Sequence, residues 1–236
     1  MEKVRLWTKE FVLDTAINFL IYIIYYMLIV IIAAEAIRSL HATMPEAGLA
    51  AGIFILGTLL ARLLAGRSIE LYGRKRMLYA GIVFYLLTTI LYFSLDSLFT
   101  LYIVRFLNGI GYGIASTATS TIVSSIIPAE RRGEGINYYA LSMSLAAAIG
   151  PLLGMLMQQQ VSFVYIVDFC VVVLFACLVA VVYLDVQESS LTDERKAELQ
   201  AFTLANFLEP RVYAISFVAF FMGICYSGVL GFLATY

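Results

Sequence analysis

Seven long apolar runs constrain what this chain can fold into more than any other feature of the sequence. They cover residues 11–34, 48–65, 77–95, 98–127, 138–157, 161–184 and 212–236. A helix needs about 20 mainly apolar residues to cross a bilayer, and each run has about that length. Because 62% of the residues are hydrophobic and only 13% are charged, the chain cannot hide its apolar surface in a core of its own. We therefore predict an all-α, multi-pass membrane protein in contact with the lipid bilayer.

The basic residues between the runs predict the orientation of the chain. Alternate connections carry Lys3, Arg5 and Lys9, then Arg67, Arg74, Lys75 and Arg76, then Arg131 and Arg132, then Arg195, Lys196 and Arg211. The connections on the opposite side carry only Arg38. Because short loops rich in lysine and arginine stay in the cytoplasm, we predict a cytoplasmic N-terminus. We expect the membrane to be a bacterial plasma membrane.

The spacing of the runs predicts three parts. Residues 1–184 hold six runs that divide into two sets of three, an arrangement typical of transporters. Residues 185–211 are the one long polar stretch, which we interpret as a cytoplasmic linker. Residues 212–236 then form a seventh helix, the incomplete start of a second bundle. The chain stops without a polar tail, so we expect a fragment of a 12-helix protein whose C-terminal bundle is missing.

The connection after the second run contains a dense basic motif, GRSIELYGRKRML at residues 66–78. Gly66 allows close helix packing and Gly73 allows a tight turn. Glu70 is placed to accept a hydrogen bond from Arg74 or to face the N-terminus of another helix. The alternative is a loop whose charges, including Lys75, are solvated and only set the topology.

This motif resembles the loop between helices 2 and 3 of the major facilitator superfamily. The family pattern has glycine, three residues, aspartate, arginine, one residue, glycine, arginine, and then lysine or arginine. Gly66, Gly73, Arg74 and Lys75 match it, while Glu70 stands in place of the aspartate and a leucine in place of the first arginine. The resemblance implies a six-helix bundle of 3+3 repeats and a loop that gates the cytoplasmic side against the second bundle.

A second stretch, LYIVRFLNGIGYG at residues 101–113, resembles the fourth-helix motif of the same family, with Asn108 in place of the usual glutamine. Arg105 lies roughly 11 Å inside the membrane edge at 1.5 Å per residue. Such an arginine costs about 3 kcal/mol to insert, so we expect it to face a cavity or an acid. The resemblance implies a role in proton transfer. The alternative is an arginine that snorkels to the interface.

A third stretch, AAAIGPLLGML at residues 146–156, resembles the fifth-helix motif of the family's drug:proton antiporters through Gly150, Pro151 and Gly154. A proline in mid-helix removes one backbone hydrogen bond and bends the span. The resemblance implies a bend that serves the rocking of two bundles. The alternative is an ordinary membrane-helix kink.

Two acids, Asp168 and Glu35, are the candidates to carry a proton within the membrane. Asp168 lies at about the same depth as Arg105, and it is equally well explained as a structural partner of that arginine. Glu35 lies at the outer end of the first helix, where an interfacial position or a cavity opening outward would suit it. Asp14 lies near the inner end of the same helix, where we expect it to face the lipid headgroups.

Several polar and aromatic residues within the runs are candidates to line a substrate cavity. Tyr25, Tyr26 and Tyr112 lie deeper than the interfacial tyrosine belt, and Asn108 lies one turn from Tyr112. Tyrosine rings bind flat apolar or cationic ligands.

The resemblance implies a secondary transporter that exports small, drug-like or amphipathic compounds in exchange for protons by alternating access. A uniporter, a symporter or a metabolite or metallophore exporter of the same superfamily is the alternative. A seven-helix receptor fits less well, because the predicted N-terminus is cytoplasmic and the seventh run has no lysine. With one histidine and no nucleotide-binding loop, we expect no enzyme activity, metal, cofactor or nucleic-acid partner.

Overall fold

The computed structural model describes residues 5–186, 188 and 213–222, and six long helices account for most of residues 5–186. They are α1 (Lys9–Leu40), α2 (Met44–Tyr72), α3 (Arg74–Ile90), α4 (Leu98–Ile126), α5 (Arg132–Gln160) and α6 (Phe163–Tyr183). Each is long and apolar enough to cross a membrane, α3 together with the 3-10 turn that follows it and α5 with the one that precedes it. The described residues contain no strand. The all-α prediction and the first six predicted spans are confirmed.

Several helices extend past the apolar runs, because backbone hydrogen bonding continues into polar sequence. Thr8 begins α1 by accepting a hydrogen bond from the Phe11 amide at 3.2 Å. His41, in the left-handed region at φ 54°, ends it. Glu46 caps α2 by accepting from the Thr43 amide at 2.8 Å. Gly73, at φ 96°, makes the single-residue turn between α2 and α3, a conformation that residues with a side chain rarely adopt.

Short connections make successive helices run in opposite directions. The end where α1, α3 and α5 begin carries Lys9, Arg74, Lys75, Arg131 and Arg132, and we call it the basic end. The other end holds the turns before α2, α4 and α6, and we call it the opposite end.

Helix α4 packs closely against both α2 and α3. A Cβ at Gly109 would collide with the carbonyl oxygen of Phe54 on α2, and a Cβ at Gly57 would collide with that of Phe106 on α4. On the α3 side, a Cβ at Gly111 would lie 2.7 Å from the Tyr85 backbone. Because these contacts are backbone to backbone, helices α2, α3 and α4 form one tightly fixed unit.

Helix α1 pairs mainly with α5, and α6 packs against α3 and α1. A Cβ at Gly150 would lie 2.7 Å from Tyr26 Cβ, and one at Gly154 would lie 3.1 Å from the Met27 carbonyl oxygen. Pro151 lies within a continuous α5. The glycines of the fifth-helix motif therefore form the α1–α5 contact inside the six-helix bundle.

Residues 213–222 form a separate described helix, Tyr213–Met222. Phe217 and Phe221, one turn apart, have their ring centroids at 4.7 Å. The rest of the predicted seventh span and most of the predicted linker lie outside the described residues, so the three-part division stays a prediction.

Candidate functional site

Arg105 is fully buried among α2, α3 and α4. Its Nε donates to the Ala50 carbonyl at 3.0 Å and its Nη1 donates to the Tyr92 hydroxyl at 3.4 Å. The guanidinium carbon lies 4.4 Å from the centre of the Phe54 ring, a cation–π distance. Arg105 forms no ion pair within the part of the chain that the structure describes. A carbonyl, a phenol and an aromatic face therefore take the place of the expected acid.

Asn108 continues this network toward α3. Its amide nitrogen donates to the Thr88 hydroxyl at 3.2 Å and to the Thr89 hydroxyl at 3.0 Å. Its amide oxygen accepts from the Tyr92 hydroxyl at 3.4 Å. Tyr92 thus connects Asn108 to Arg105. Asn108 is fully buried, so the structure places it between α3 and α4 and away from the bundle surface.

The two candidate acids lie apart from Arg105. Asp168 is exposed on the outside of α6. Glu35 accepts from Arg38 Nη2 at 2.7 Å and also from the Ser39 hydroxyl, one turn further along α1. Glu35 and Tyr92 line the same cavity of about 190 Å³ at the opposite end. Tyr92 is therefore the residue that connects this cavity to Arg105.

An aromatic cluster joins α1, α2 and α4 beside Arg105. Tyr25 stacks on Tyr112 with centroids at 4.8 Å and on Phe54 at 5.4 Å. Tyr26 lies 4.7 Å from Tyr25, and Tyr22 meets Tyr112 edge-on at 5.5 Å. Tyr25 and Tyr26 are partly exposed, whereas Tyr112 is buried. The structure thus brings the three predicted tyrosines together and adds Phe54 and Tyr22, which sequence reasoning missed.

A glutamate beyond α6 binds the N-terminus of α3 at the basic end. Glu188 accepts from the Arg74 amide and the Lys75 amide, each at 2.9 Å. The Lys75 ammonium donates to the Val182 carbonyl at 3.2 Å. Helix N-termini attract carboxylates. We call these contacts the Glu188 clasp; sequence reasoning missed it, because no periodic pattern relates residue 188 to residue 74.

The clasp involves only part of the predicted gating loop. A Cβ at Gly66 would meet nothing within 4 Å, so close packing does not explain this glycine within the described structure. Glu70 is exposed in the last turn of α2. The clasp borders a cleft of about 630 Å³, lined by Thr8, Glu10, Arg74, Ser125, Ile126, Asp185 and Glu188.

Asp14 lies inside the bundle, so the expectation that it faces the headgroups is wrong. Its side chain is fully buried, and neither carboxylate oxygen has a hydrogen-bond partner among the described residues. Asn18, one turn along α1, is also fully buried and accepts from Tyr139 at 2.9 Å and from Thr119 at 3.2 Å. Position along the chain suggested the headgroups, but the i, i+4 spacing of Asp14 and Asn18 was the signal that they share one face.

The comparisons with known proteins agree on a family. The family model described as Major Facilitator Superfamily matches residues 15–236. An uncharacterized MFS-type transporter of Methanocaldococcus jannaschii is 24% identical over 84% of this chain and 53% of its own length. Multidrug resistance protein 3 of Bacillus subtilis is 31% identical over 41% of this chain and 19% of its own length. This chain belongs to the Major Facilitator Superfamily.

A solved structure supports the same fold. A crystal structure titled as the peptide transporter POT in complex with sulfate superimposes with a TM-score of 0.68 and 18% identity, over 97% of this chain and 46% of that one. The chain thus spans about half the length of the M. jannaschii relative and of this structure. Membership in this transporter family confirms the prediction of an integral, multi-pass membrane protein.

Proposed function

We propose that this member of the Major Facilitator Superfamily is a secondary transporter that exports small, drug-like or amphipathic compounds in exchange for protons. It would act by alternating access in a bacterial plasma membrane, with its N-terminus in the cytoplasm and a second bundle completing the pathway. The observation that carries the proposal is the aromatic cluster of Tyr25, Tyr26, Tyr112 and Phe54 beside Arg105.

The aromatic cluster suits flat, apolar or cationic compounds. Tyr25 and Tyr26 reach the bundle surface, while Tyr112 and Phe54 hold Tyr25 by parallel stacking. A ligand cation that contacts these rings would gain about 0.5–1 kcal/mol at an exposed site, and more where water is excluded. The B. subtilis relative is named a multidrug resistance protein, which agrees with such a ligand.

Proton coupling in this proposal involves Arg105 with Glu35 and Asp168. Tyr92 touches both Arg105 and the cavity lined by Glu35, which gives protons a route from the opposite end. Asp168, exposed on α6, is the second acid to test. The membrane potential would supply roughly 2.3 kcal/mol per charge for each 100 mV.

Two motifs would serve the conformational change. We assign gating at the cytoplasmic side to the loop with Gly66, Glu70, Gly73, Arg74 and Lys75. The Glu188 clasp supports this role, because it attaches the loop to the segment after α6. We assign to Pro151 a bending of α5 during transport, with Gly150 and Gly154 holding that helix against α1.

The test is proton-coupled efflux by the complete protein in inverted membrane vesicles. Lipophilic cations are added after an acid-inside gradient is established, and a pH-sensitive dye reports its loss. We expect the cations to dissipate the gradient with the parent protein and not with Arg105→Ala. Loss of coupling in Glu35→Gln or Asp168→Asn would identify the acid, and Asp96→Asn, in the exposed α3–α4 turn, is the matched control.

A uniporter or symporter is the second candidate. The superposition on a structure titled as a peptide transporter favours it. So does the absence of an acid paired with Arg105 among the described residues. If substrates equilibrate across the vesicle membrane while the proton gradient persists, antiport is refuted and a uniporter replaces it.

A further inference from the structure

The buried carboxylate of Asp14 has no role in the network around Arg105. It lies near the basic end, in the first two turns of α1, whereas Arg105 lies in the half of α4 nearer the opposite end. Burying an ionised carboxylate without a partner costs several kcal/mol. A group of this kind is held either in neutral form or next to a cation.

Hydroxyl oxygen atoms from two other helices, α4 and α5, surround the neighbouring Asn18. Thr119 on α4 and Tyr139 on α5 both donate to the Asn18 amide oxygen, and their own hydroxyls lie 3.1 Å apart. The Asn18 amide nitrogen donates to Ser142 at 3.3 Å. Asp14 lies one helical turn from Asn18 on the same face of α1, and both side chains are fully buried. The hydroxyl of Thr15 also lacks a partner among the described residues.

This set of groups matches one small monovalent cation. It offers a single carboxylate, so one positive charge balances it, and its other donors are hydroxyl and amide oxygens, which hard cations prefer. Among the helices packed on α1 here, α5 contributes the titratable hydroxyl of Tyr139, and α4 contributes the hydroxyls of Thr119 and Ser120, which do not titrate. No lysine or arginine of the described chain pairs with Asp14.

An apolar lid closes this region at the basic end. It consists of Leu6, Phe11, Val123, Ile127 and Tyr139, which form one cluster of buried side chains. Trp7, the one tryptophan of the chain, contacts the edge of the lid, with its ring 5.6 Å from Phe11 and 4.8 Å from Tyr138. Displacement of Leu6 and Phe11 would therefore expose this region and change the surroundings of Trp7.

We propose that Asp14, with Asn18, Thr119 and Tyr139, forms a binding site for one proton or one sodium ion between α1, α4 and α5, covered at the basic end by the side chains of Leu6 and Phe11. Coupling of this ion to transport rests on the proposed function. Binding itself stands on the geometry.

The first experiment measures thermal unfolding of the purified complete protein, because any ligand that binds only the folded state raises Tm. Sodium chloride replaces choline chloride at constant ionic strength, and in a second arm pH is varied without sodium. A sodium ligand predicts a Tm that rises with sodium in the parent and in Asp96→Asn but not in Asp14→Asn. A proton ligand predicts a Tm rise toward lower pH that Asp14→Asn diminishes, with no response to sodium.

A second pair of variants keeps the carboxylate and so guards against a folding defect in Asp14→Asn. If sodium is the ligand, Thr119→Val and Tyr139→Phe each remove one oxygen donor and should lower apparent sodium affinity by about tenfold or more. If a proton is the ligand, both should keep the pH response. Trp7 fluorescence should follow the same titrations, with Trp7→Phe as the blank.

The proposal is overturned if Asp14→Asn responds to sodium and pH as the parent does, or if the parent responds to neither cation. These titrations need no substrate and no gradient, so their outcome is independent of the efflux assay. A cation response that depends on Asp14, together with failed efflux, would reject the proposed function and leave the cation site standing.

Discussion

The contact between α2 and α4 offers the sharpest test of how this bundle is held together. A Cβ at Gly109 of α4 would collide with the Phe54 carbonyl oxygen of α2. A Cβ at Gly52 of α2 would meet nothing within 4 Å. Both positions are helical, so Gly→Ala gives each variant the same intrinsic helix gain of about 1 kcal/mol. The difference between the two variants therefore isolates the collision.

Overpacking of a close contact costs about 1–3 kcal/mol, and backbone atoms cannot move aside as a flexible side chain can. We expect Gly109→Ala to lie about 1–3 kcal/mol below Gly52→Ala in unfolding free energy. At about 2–4 °C per kcal/mol for a chain of this size, its Tm should be several degrees lower. Thermal unfolding of both variants in the same detergent is the measurement. Equal Tm values would refute the claim that backbone contact fixes α2 against α4.

Two further predictions concern the surface of the bundle. Glu188→Gln should weaken the clasp on α3 by about 0.3–1 kcal/mol, the usual strength of a carboxylate at an exposed helix N-terminus. Trypsin should then cleave the variant faster than the parent at Arg74 and Lys75. Glu130→Gln, in the turn between α4 and α5 at the basic end, is the control and should be cleaved at the parent's rate. An unchanged cleavage rate in Glu188→Gln would contradict the clasp. Tyr25→Ala should weaken binding of a lipophilic cation about two- to fivefold, from the 0.5–1 kcal/mol of an exposed cation–π contact. Tyr25→Phe, which keeps the ring, should bind the cation as the parent does. If equilibrium dialysis gives Tyr25→Ala the same affinity as the parent, Tyr25 is not part of the ligand site.

The six helices were predictable because the membrane imposes a length requirement that the apolar runs satisfy directly. Their ends were less predictable. The apolar run ends at residue 65, yet α2 continues to Tyr72 through a mixed segment that contains Arg67, Ser68 and Glu70. A helix outside the hydrocarbon region does not need a continuous apolar sequence. The turn at Gly73 was predicted from the residue type, and its positive φ is the reason that glycine is needed there.

The partners of the buried polar residues could not be predicted in the same way. Sequence reasoning predicted that Arg105 faces a cavity or an acid, but its partners are the backbone carbonyl of Ala50 and the Tyr92 hydroxyl. A carbonyl is present at every position, so no residue type reveals it. Asp14 was misplaced for a different reason: α1 is apolar around most of its circumference, and its sequence does not distinguish the face toward α4 and α5 from the face toward lipid.

The two buried polar networks differ in what they hold together. The network of Arg105, Asn108 and Tyr92 lies within the α2–α3–α4 unit, whose helices are already fixed by glycine contacts between backbones. The network of Asn18, Thr119 and Tyr139 crosses from the α1–α5 pair to α4, where hydrogen bonds between side chains replace such close contacts. A side-chain hydrogen bond contributes only about 0.5–1.5 kcal/mol net to stability, whereas a collision in a close contact costs about 1–3 kcal/mol. An ion that binds at Asp14 would therefore act at the boundary between the α1–α5 pair and the α2–α3–α4 unit.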